Sequence, residues 1–402
     1  MNTTAKAIVW VVVLGVVAWA GYAMLGTPAE APVAETVATS TAPVAVEPLK
    51  IGFIAPLSGD GASYGEMKRN VVMLAVEEIN AAGGVNGRPL EVIYEDGKCS
   101  GKDATGAAQK LVNVDKVHFI LGGFCSGESL AAIPVAEAGQ AMMLSTGSSS
   151  PDLTSKSRFF VRDYPSDATQ GEVLAKAAAA KGWKKVAMIQ EQLDYPLGIF
   201  KAFSASFEAL GGTVVKEEFP TSATDFRSML TKLKAAKPDA LFLNAQTPAS
   251  GERVIKQLVD LKWKPKMLVN EAFVGDRATV EKYKDILEGA LAAEFAVDPA
   301  NTKFIALDQA YKAKFGVDMP FKSYGQTVYD GVYLAKEGLM AVGDDGVKLA
   351  DWFRTVKDWQ GASGTITIKP DGDRESGYSG EVVKDGKVEM MSMAPAATST
   401  PQ

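Results

Sequence analysis

From Leu49 onward the chain alternates short apolar runs with amphipathic stretches, and it does so in two successive sets. Strands joined by crossovers long enough to hold a helix have one common solution, a parallel sheet with helices on its faces. In the first set a strand over 50–55 runs into a loop, and Ser63-Tyr64-Gly65-Glu66 has capping-box spacing ahead of Met67, Val71, Leu74, Ala75 and Ile79. Gly83-Gly84 stops that helix and Asn86-Gly87 turns into a strand over 90–94. A helix to about Val114, a strand over 117–121, a helix over 126–138 and a strand over 142–145 complete the set. The second set predicts helices over 169–181, 196–210, 225–236 and 250–261, alternating with strands over 186–190, 214–218, 240–244 and 267–270. One sheet of that length is unusual, so two lobes are expected, each a doubly wound, mostly parallel sheet flanked by helices. Helices over 302–314 and 323–342 follow. The body ends in β-rich sequence over 365–368 and 381–384, with an Asp385-Gly386 turn before Val388-Glu389.

The N-terminus is of another kind. No charge interrupts Ala7 to Leu25, and Lys6 lies before it. Nineteen residues at about 1.5 Å each nearly span a hydrocarbon core, whereas leader cores run to about 7–15, so length favours an uncleaved anchor. Ala18-Trp19-Ala20 and Ala29-Glu30-Ala31 are small-x-small cleavage sites for the alternative, a signal peptide. In either case Lys6 places the N-terminus on the cytoplasmic side and the body outside. Residues 26–48, rich in Pro, Ala, Thr and Val, read as a tether, and residues 394–402 as a disordered tail.

Scarce residues narrow the chemistry. The 402 residues carry 48 acidic and 42 basic side chains, a net charge of −6 without a long basic run, which argues against nucleic acid as a partner. His118, the single histidine, lies in an apolar run and is expected to be a hydrogen-bonded core residue. It leaves no multi-histidine metal site and no ready Ser-His-Asp triad. Two cysteines, Cys99 and Cys125, suit a single disulfide in an oxidising compartment better than zinc or a redox pair. Gly59-Asp60-Gly61-Ala62-Ser63-Tyr64 puts tyrosine where a dinucleotide fingerprint needs its third glycine, and no phosphate loop occurs. No cofactor, no metal and no enzymatic activity are expected.

Open α/β sheets bind ligands beyond the carboxyl ends of their strands, and polar residues gather there. Ser126 opens a helix, where free N–H groups favour an anion, and Ser148 and Ser149 follow the strand over 142–145. Each serine also reads as a plain helix cap. In the second set Tyr195, Gln246 and Glu271 follow strands in the same way. A carboxylate opposite an anion pocket suits a zwitterion.

Together these stretches carry a resemblance: IGFIAPLSGDGASYG, INAAGGVNGRPLEVIYED, KLVNVDKVHFILGGFCSGESLAAIPVAEAG, MLSTGSSSPDLT, YPSDATQG, TDFRSMLTKLKAAKPDALFL and SYGQTVYDGVYLAKEGL. From about Leu49 to Val388 the chain resembles the type I periplasmic binding proteins, specifically the branched-chain amino-acid (leucine/isoleucine/valine) binding family of ABC importers. The resemblance implies a two-lobed fold hinged at three crossovers, with lobe 1 over 49–165 and 295–368 and lobe 2 over 166–294 and 369–393. It implies a Cys99–Cys125 disulfide. Ser126 and Ser149, helped by Ser148, would hold an α-carboxylate, Glu271 an α-ammonium, and Tyr64, Phe124, Tyr195 and Tyr324 would line the side-chain pocket. Gln246 stands where the leucine-binding pattern has an aromatic, which implies a more polar pocket. The implied protein is a monomer delivering an amino acid to a permease and its ATPase subunits. Binders of amides, urea-like or aromatic solutes, and ligand-sensing modules, share this fold.

Overall fold

The computed structural model describes residues 46–391. The expected anchor or leader, the tether up to residue 45 and the tail lie outside the described residues. Among the described residues no helix is long and apolar enough to cross a membrane.

Strands β1 (Leu49–Ala55), β2 (Leu90–Asp96), β3 (Phe119–Gly122), β4 (Met142–Ser145) and β5 (Phe160–Arg162) form a parallel sheet in the order β2-β1-β3-β4-β5. The connections hold α1 (Ala62–Ala81), α2 (Gly101–Gln109) and α3 (Ser126–Ala138). β3 and β4 are buried along their whole length, as apolar strands covered by helices on both faces must be. In a second sheet β6 (Lys185–Glu191), β7 (Thr213–Phe219), β8 (Ala240–Asn244), β9 (Met267–Val269) and β10 (Leu291–Glu294) repeat the pattern as β7-β6-β8-β9-β10. Its connections carry α4 (Asp167–Ala180, which leads into β6), α5 (Asp194–Ala209), α6 (Arg227–Ala235), α7 (Pro248–Asp260) and three short helices, α8 (Glu271–Val274), α9 (Arg277–Lys282) and α10 (Lys284–Leu287). Strand order reverses between β1 and β3 in one sheet and between β6 and β8 in the other, and a doubly wound sheet opens a crevice at such a point.

The chain then returns. Of α11 (Thr302–Phe315), α12 (Lys322–Val342) and α13 (Gly346–Phe353), the first two pack on α1 and the third on β4, covering the first sheet. After the small hairpin β11 (Trp359–Gly361) and β12 (Gly364–Ile366), strands β13 (Ser379–Lys384) and β14 (Lys387–Met390) add antiparallel to β10. The chain therefore crosses between the two bodies three times: after β5, after β10 and between β12 and β13. Asp385 (φ 48°) and Gly386 (φ 75°) make the β13–β14 turn, and Asn86 (φ 50°) with Gly87 (φ 79°) make the bridge from Val85 to Arg88. Two successive positive φ angles match the right-handed twist of paired strands, and Asn or Asp followed by Gly tolerates them.

Three sequence expectations are corrected. His118 is no core residue: it precedes β3, its side chain is 45% exposed, and Nδ1 lies 3.3 Å from Asp344 Oδ1. The apolar run beside it belongs to β3, and the histidine stands at its wet end. Ser63 does not cap α1, which begins one residue earlier behind Gly61, following a 3₁₀ turn over Gly59–Gly61. The helix expected to run to Val114 ends at Gln109 and continues as a π-helical turn, Lys110–Val114.

Candidate functional site

The two reversals of strand order face each other. From the first body come Tyr64 on α1, Phe124 to Ser126 between β3 and α3, Gly147 after β4 and Tyr324 on α12; from the second come Tyr195 on α5, Gln246 after β8 and Ala272 on α8. These residues surround a cavity of about 10 Å³, room for about one water. It is narrow because the bodies touch across it. The Tyr64 hydroxyl donates to the Ala272 carbonyl at 2.6 Å, and the Ala272 N–H donates to the Tyr195 hydroxyl at 3.3 Å. Arg253 on α7 pairs with Asp60 at 2.8 Å, and Lys201 on α5 with Asp152 at 2.8 Å, further along the same seam. Beyond the cavity a wider opening of about 650 Å³, with Gly59, Lys98, Glu191, Asp194 and Gln246 on its walls, leads to solvent.

The cavity is aromatic on the first body's side. Tyr64, Phe124 and Tyr324 pack with ring centroids 4.9 Å (Tyr64–Phe124), 5.7 Å (Tyr64–Tyr324) and 5.0 Å (Phe124–Tyr324) apart. Tyr164, in the first crossing, stacks on Tyr324 at 5.0 Å and donates its hydroxyl to Glu271 Oε1. Glu271 is fully buried at the start of α8. Its Oε1 also accepts the Phe295 N–H at 2.9 Å, while Oε2 has no partner among the described residues. Burial holds its carboxyl well above the usual range, and Glu294 nearby pushes it the same way.

The polar side of the cavity is the entry to α3. Glu128 reaches back to accept the N–H groups of Cys99 (2.9 Å), Phe124 (2.9 Å) and Cys125 (3.0 Å), which fixes the loop before the helix. Burial nevertheless raises the Glu128 carboxyl to about 7 against the pull of those bonds. Cys99 and Cys125 face each other with Cα atoms 5.1 Å apart, a normal span for a bridge. The Ser126 hydroxyl accepts the Ser150 N–H at 3.1 Å. Ser148 turns inward, its hydroxyl 3.0 Å from the carbonyls of Gly123 and Phe124 and 2.8 Å from Ser129 Oγ. Ser149 is buried beside Asp167, whose N–H donates to the Ser149 carbonyl at 2.8 Å.

Of the residues singled out from sequence, Tyr64, Phe124, Ser126, Tyr195, Gln246 and Tyr324 therefore line the cavity, while Ser148, Ser149 and Glu271 stand behind its wall. Three further residues were not anticipated. Tyr164 lies in an irregular crossing without periodicity. Asp167 opens α4 and accepts from the Tyr378 hydroxyl at 3.1 Å; burial raises its carboxyl to about 7. Lys68 continues the apolar stripe of α1, one turn after Tyr64, and a lysine on a buried face is a visible anomaly.

Known proteins resemble the chain along most of its length. The family described as periplasmic binding protein matches residues 48–386. A Pseudomonas aeruginosa protein named as a leucine-, isoleucine-, valine-, threonine- and alanine-binding protein is 29% identical over 337 residues, 82% of this chain and 88% of its own. The branched-chain amino acid transporter substrate-binding protein LivJ of Streptococcus pneumoniae, solved in complex with isoleucine, superposes with a TM-score of 0.76 at 25% identity, covering 85% of this chain and 98% of that one. A solute-binding protein of an ABC transporter from Rhodopseudomonas palustris BisB5, solved with 3,4-dihydroxybenzoic acid, gives 0.73 at 26% identity, covering 85% and 94%. With a match across nearly all of both bodies, the chain belongs to the periplasmic binding protein family.

Proposed function

We propose that this chain is the extracytoplasmic solute-binding protein of an ABC importer, holding a small amino acid of the branched-chain type between its two bodies and presenting it to a permease with its ATPase subunits. The observation that carries the reading is the cavity itself: aromatic walls from both bodies, a helix N-terminus on one side and, on the other, Ala272 with the buried Glu271 next to it in sequence. The names of the Pseudomonas and Streptococcus relatives support it. Ser126 and the N–H groups around Ser148 and Ser149 receive the α-carboxylate, and Glu271 exchanges its proton for the α-ammonium. Tyr64, Phe124, Tyr195, Tyr324 and Gln246 set the side-chain volume.

Binding is a hinge motion with no bond broken. The cavity of about 10 Å³ admits an amino acid only after the Tyr64–Ala272, Arg253–Asp60 and Lys201–Asp152 contacts part. Residues 49–165 with 295–368 then rotate against 166–294 with 369–393 about the three crossings. A solute touching both bodies shifts that equilibrium by its differential contacts. The body works outside the cytoplasm, as a monomer held by the N-terminal segment 7–25.

One observation favours a second solute class. The rings at the cavity and the 3,4-dihydroxybenzoic acid held by the Rhodopseudomonas relative suit an aromatic carboxylate. Thermal-shift measurement with leucine, isoleucine, valine, threonine, alanine and 3,4-dihydroxybenzoate tests both. A ligand at 100 times its dissociation constant stabilises the folded state by about 2.7 kcal/mol, a shift of several degrees. A response to an amino acid supports the first reading, a response to the aromatic acid alone the second, and no response to any of them counts against both.

A further inference from the structure

Lys68 is 1% exposed, and the hydrogen bonds of its ammonium among the described residues go to Thr146 and not to a carboxylate. Its Nζ donates to the Thr146 carbonyl at 2.8 Å and to Thr146 Oγ1 at 2.7 Å, two of its three N–H groups. It sits 4.7 Å from the centre of the Phe124 ring and 5.9 Å from that of Tyr324. A Cβ on Gly147 would come 3.5 Å from Nζ. Phe124, Tyr324 and Gly147 all line the cavity, so the ammonium lies directly behind its wall.

A methionine would fill this place on the apolar face of α1 at no electrostatic cost, whereas a buried ammonium without a counter-ion is expensive. The acids that face it accept no hydrogen bond from it: both Nζ bonds go to Thr146. Glu128 on α3, raised to about 7, and Asp163 after β5, raised above its usual range, are both pushed toward the neutral form by burial first, while their residual charge favours the Lys68 ammonium. Asp330 on α12 and Arg374 act on Asp163 in opposite directions. The N-terminus of α3 adds positive potential on the same side of the cavity, and Glu271 supplies a carboxyl group on the other.

We propose that Lys68 is the charge-selecting residue of the cleft: its ammonium, behind Gly147 and against Phe124 and Tyr324, biases the cavity toward solutes that carry a carboxylate. This rests on the solute-binding reading above and deepens it, since it covers amino acids and aromatic acids alike and disfavours amides and neutral solutes. Lys68 acts through the wall and is a positioning residue for charge.

The test is calorimetric titration of the full chain and of Lys68→Met and Lys68→Arg with L-leucine, L-leucinamide, 3,4-dihydroxybenzoate and catechol at pH 6.0 and 8.5. Burial lowers the Lys68 ammonium to about 7, so the parent loses its charge across this interval. The parent should bind whichever carboxylate it takes at least about fivefold more weakly at pH 8.5 than at pH 6.0, the scale of one buried charge acting across a few ångströms. Lys68→Met should lose most of the preference for acid over amide or catechol. Lys68→Arg, charged throughout, should keep that preference and flatten the pH profile. Glu128 and Asp167, each raised to about 7, titrate in all three proteins and cancel in the comparison. Parent-like selectivity and pH profile in Lys68→Met overturn the inference alone; if that variant does not fold, parallel profiles for the parent and Lys68→Arg do the same. Failure of the parent to bind either carboxylate overturns the solute reading and this inference with it.

Discussion

Glu271→Gln keeps the shape of a side chain whose Oε1 already accepts from Tyr164 and Phe295, so the fold should tolerate it. What it removes is the charge offered to an ammonium. Amino-acid affinity should fall by at least about 2 kcal/mol, the usual cost of truncating one partner of a buried charge pair. Ser149→Ala should cost less, because backbone N–H groups remain to hold a carboxylate. Titration of both variants with L-leucine reads the difference, and parent-like binding by Glu271→Gln would remove the ammonium assignment. A bridge between Cys99 and Cys125 would close a loop of sequence separation 26, worth about 3–4 kcal/mol by loop entropy. The unreduced, folded protein should resist alkylation, and reduction should lower its thermal midpoint; rapid labelling before reduction would contradict the bridge.

Secondary elements succeed or fail in the sequence according to how much of their pattern is local. The expected bounds of α3, β4 and β8 coincide with the observed ones because a continuous apolar run or a full helical period lies between clear breakers. β5 and β10 escape notice, being three and four residues long. Leu291-Ala292-Ala293-Glu294 is a strand only because β9 and β13 flank it, a tertiary cause that alanine-rich sequence does not announce. The cavity residues that follow strand ends could be read from position in the pattern, but Tyr164 in its irregular crossing could not. Close packing of α1 gives the element-scale prediction. A Cβ at Gly65 would lie 2.1 Å from the Pro56 carbonyl oxygen, so Gly65→Ala must push α1, and Tyr64 with it, off the end of β1, costing about 1–3 kcal/mol. Gly106→Ala, in open space on α2, should instead stabilise by about 0.5–1 kcal/mol. Urea midpoints of the two variants should move in opposite directions.

At the scale of the whole molecule, two sheets that share a five-strand parallel order, the second extended by β13 and β14, bury a set of ionisable groups between and beneath them, and these govern the response to pH. Burial raises Glu128 and Asp167 to about 7 and Glu381 to about 8. A carboxyl whose pKa is higher folded than unfolded stabilises the fold below its unfolded value, and that contribution is lost as pH rises through the folded one. Lys68, lowered to about 7, acts oppositely above that pH, where the unfolded chain still holds the proton. The thermal midpoint should therefore fall from pH 5 to pH 7.5 and level off or recover above it; a rise across pH 5 to 7.5 would show these carboxyls to be ionised and paired. On the proposed reading the cleft holds a zwitterion between the entry to α3 and Glu271, and one measurement bears on that claim most directly: calorimetric titration of the purified protein at pH 7 with L-leucine, its amide and its deaminated acid. The account predicts one-to-one binding of leucine, with both analogues weaker by at least about 30-fold, the equivalent of about 2 kcal/mol. Binding of the deaminated acid as tight as that of leucine would contradict it.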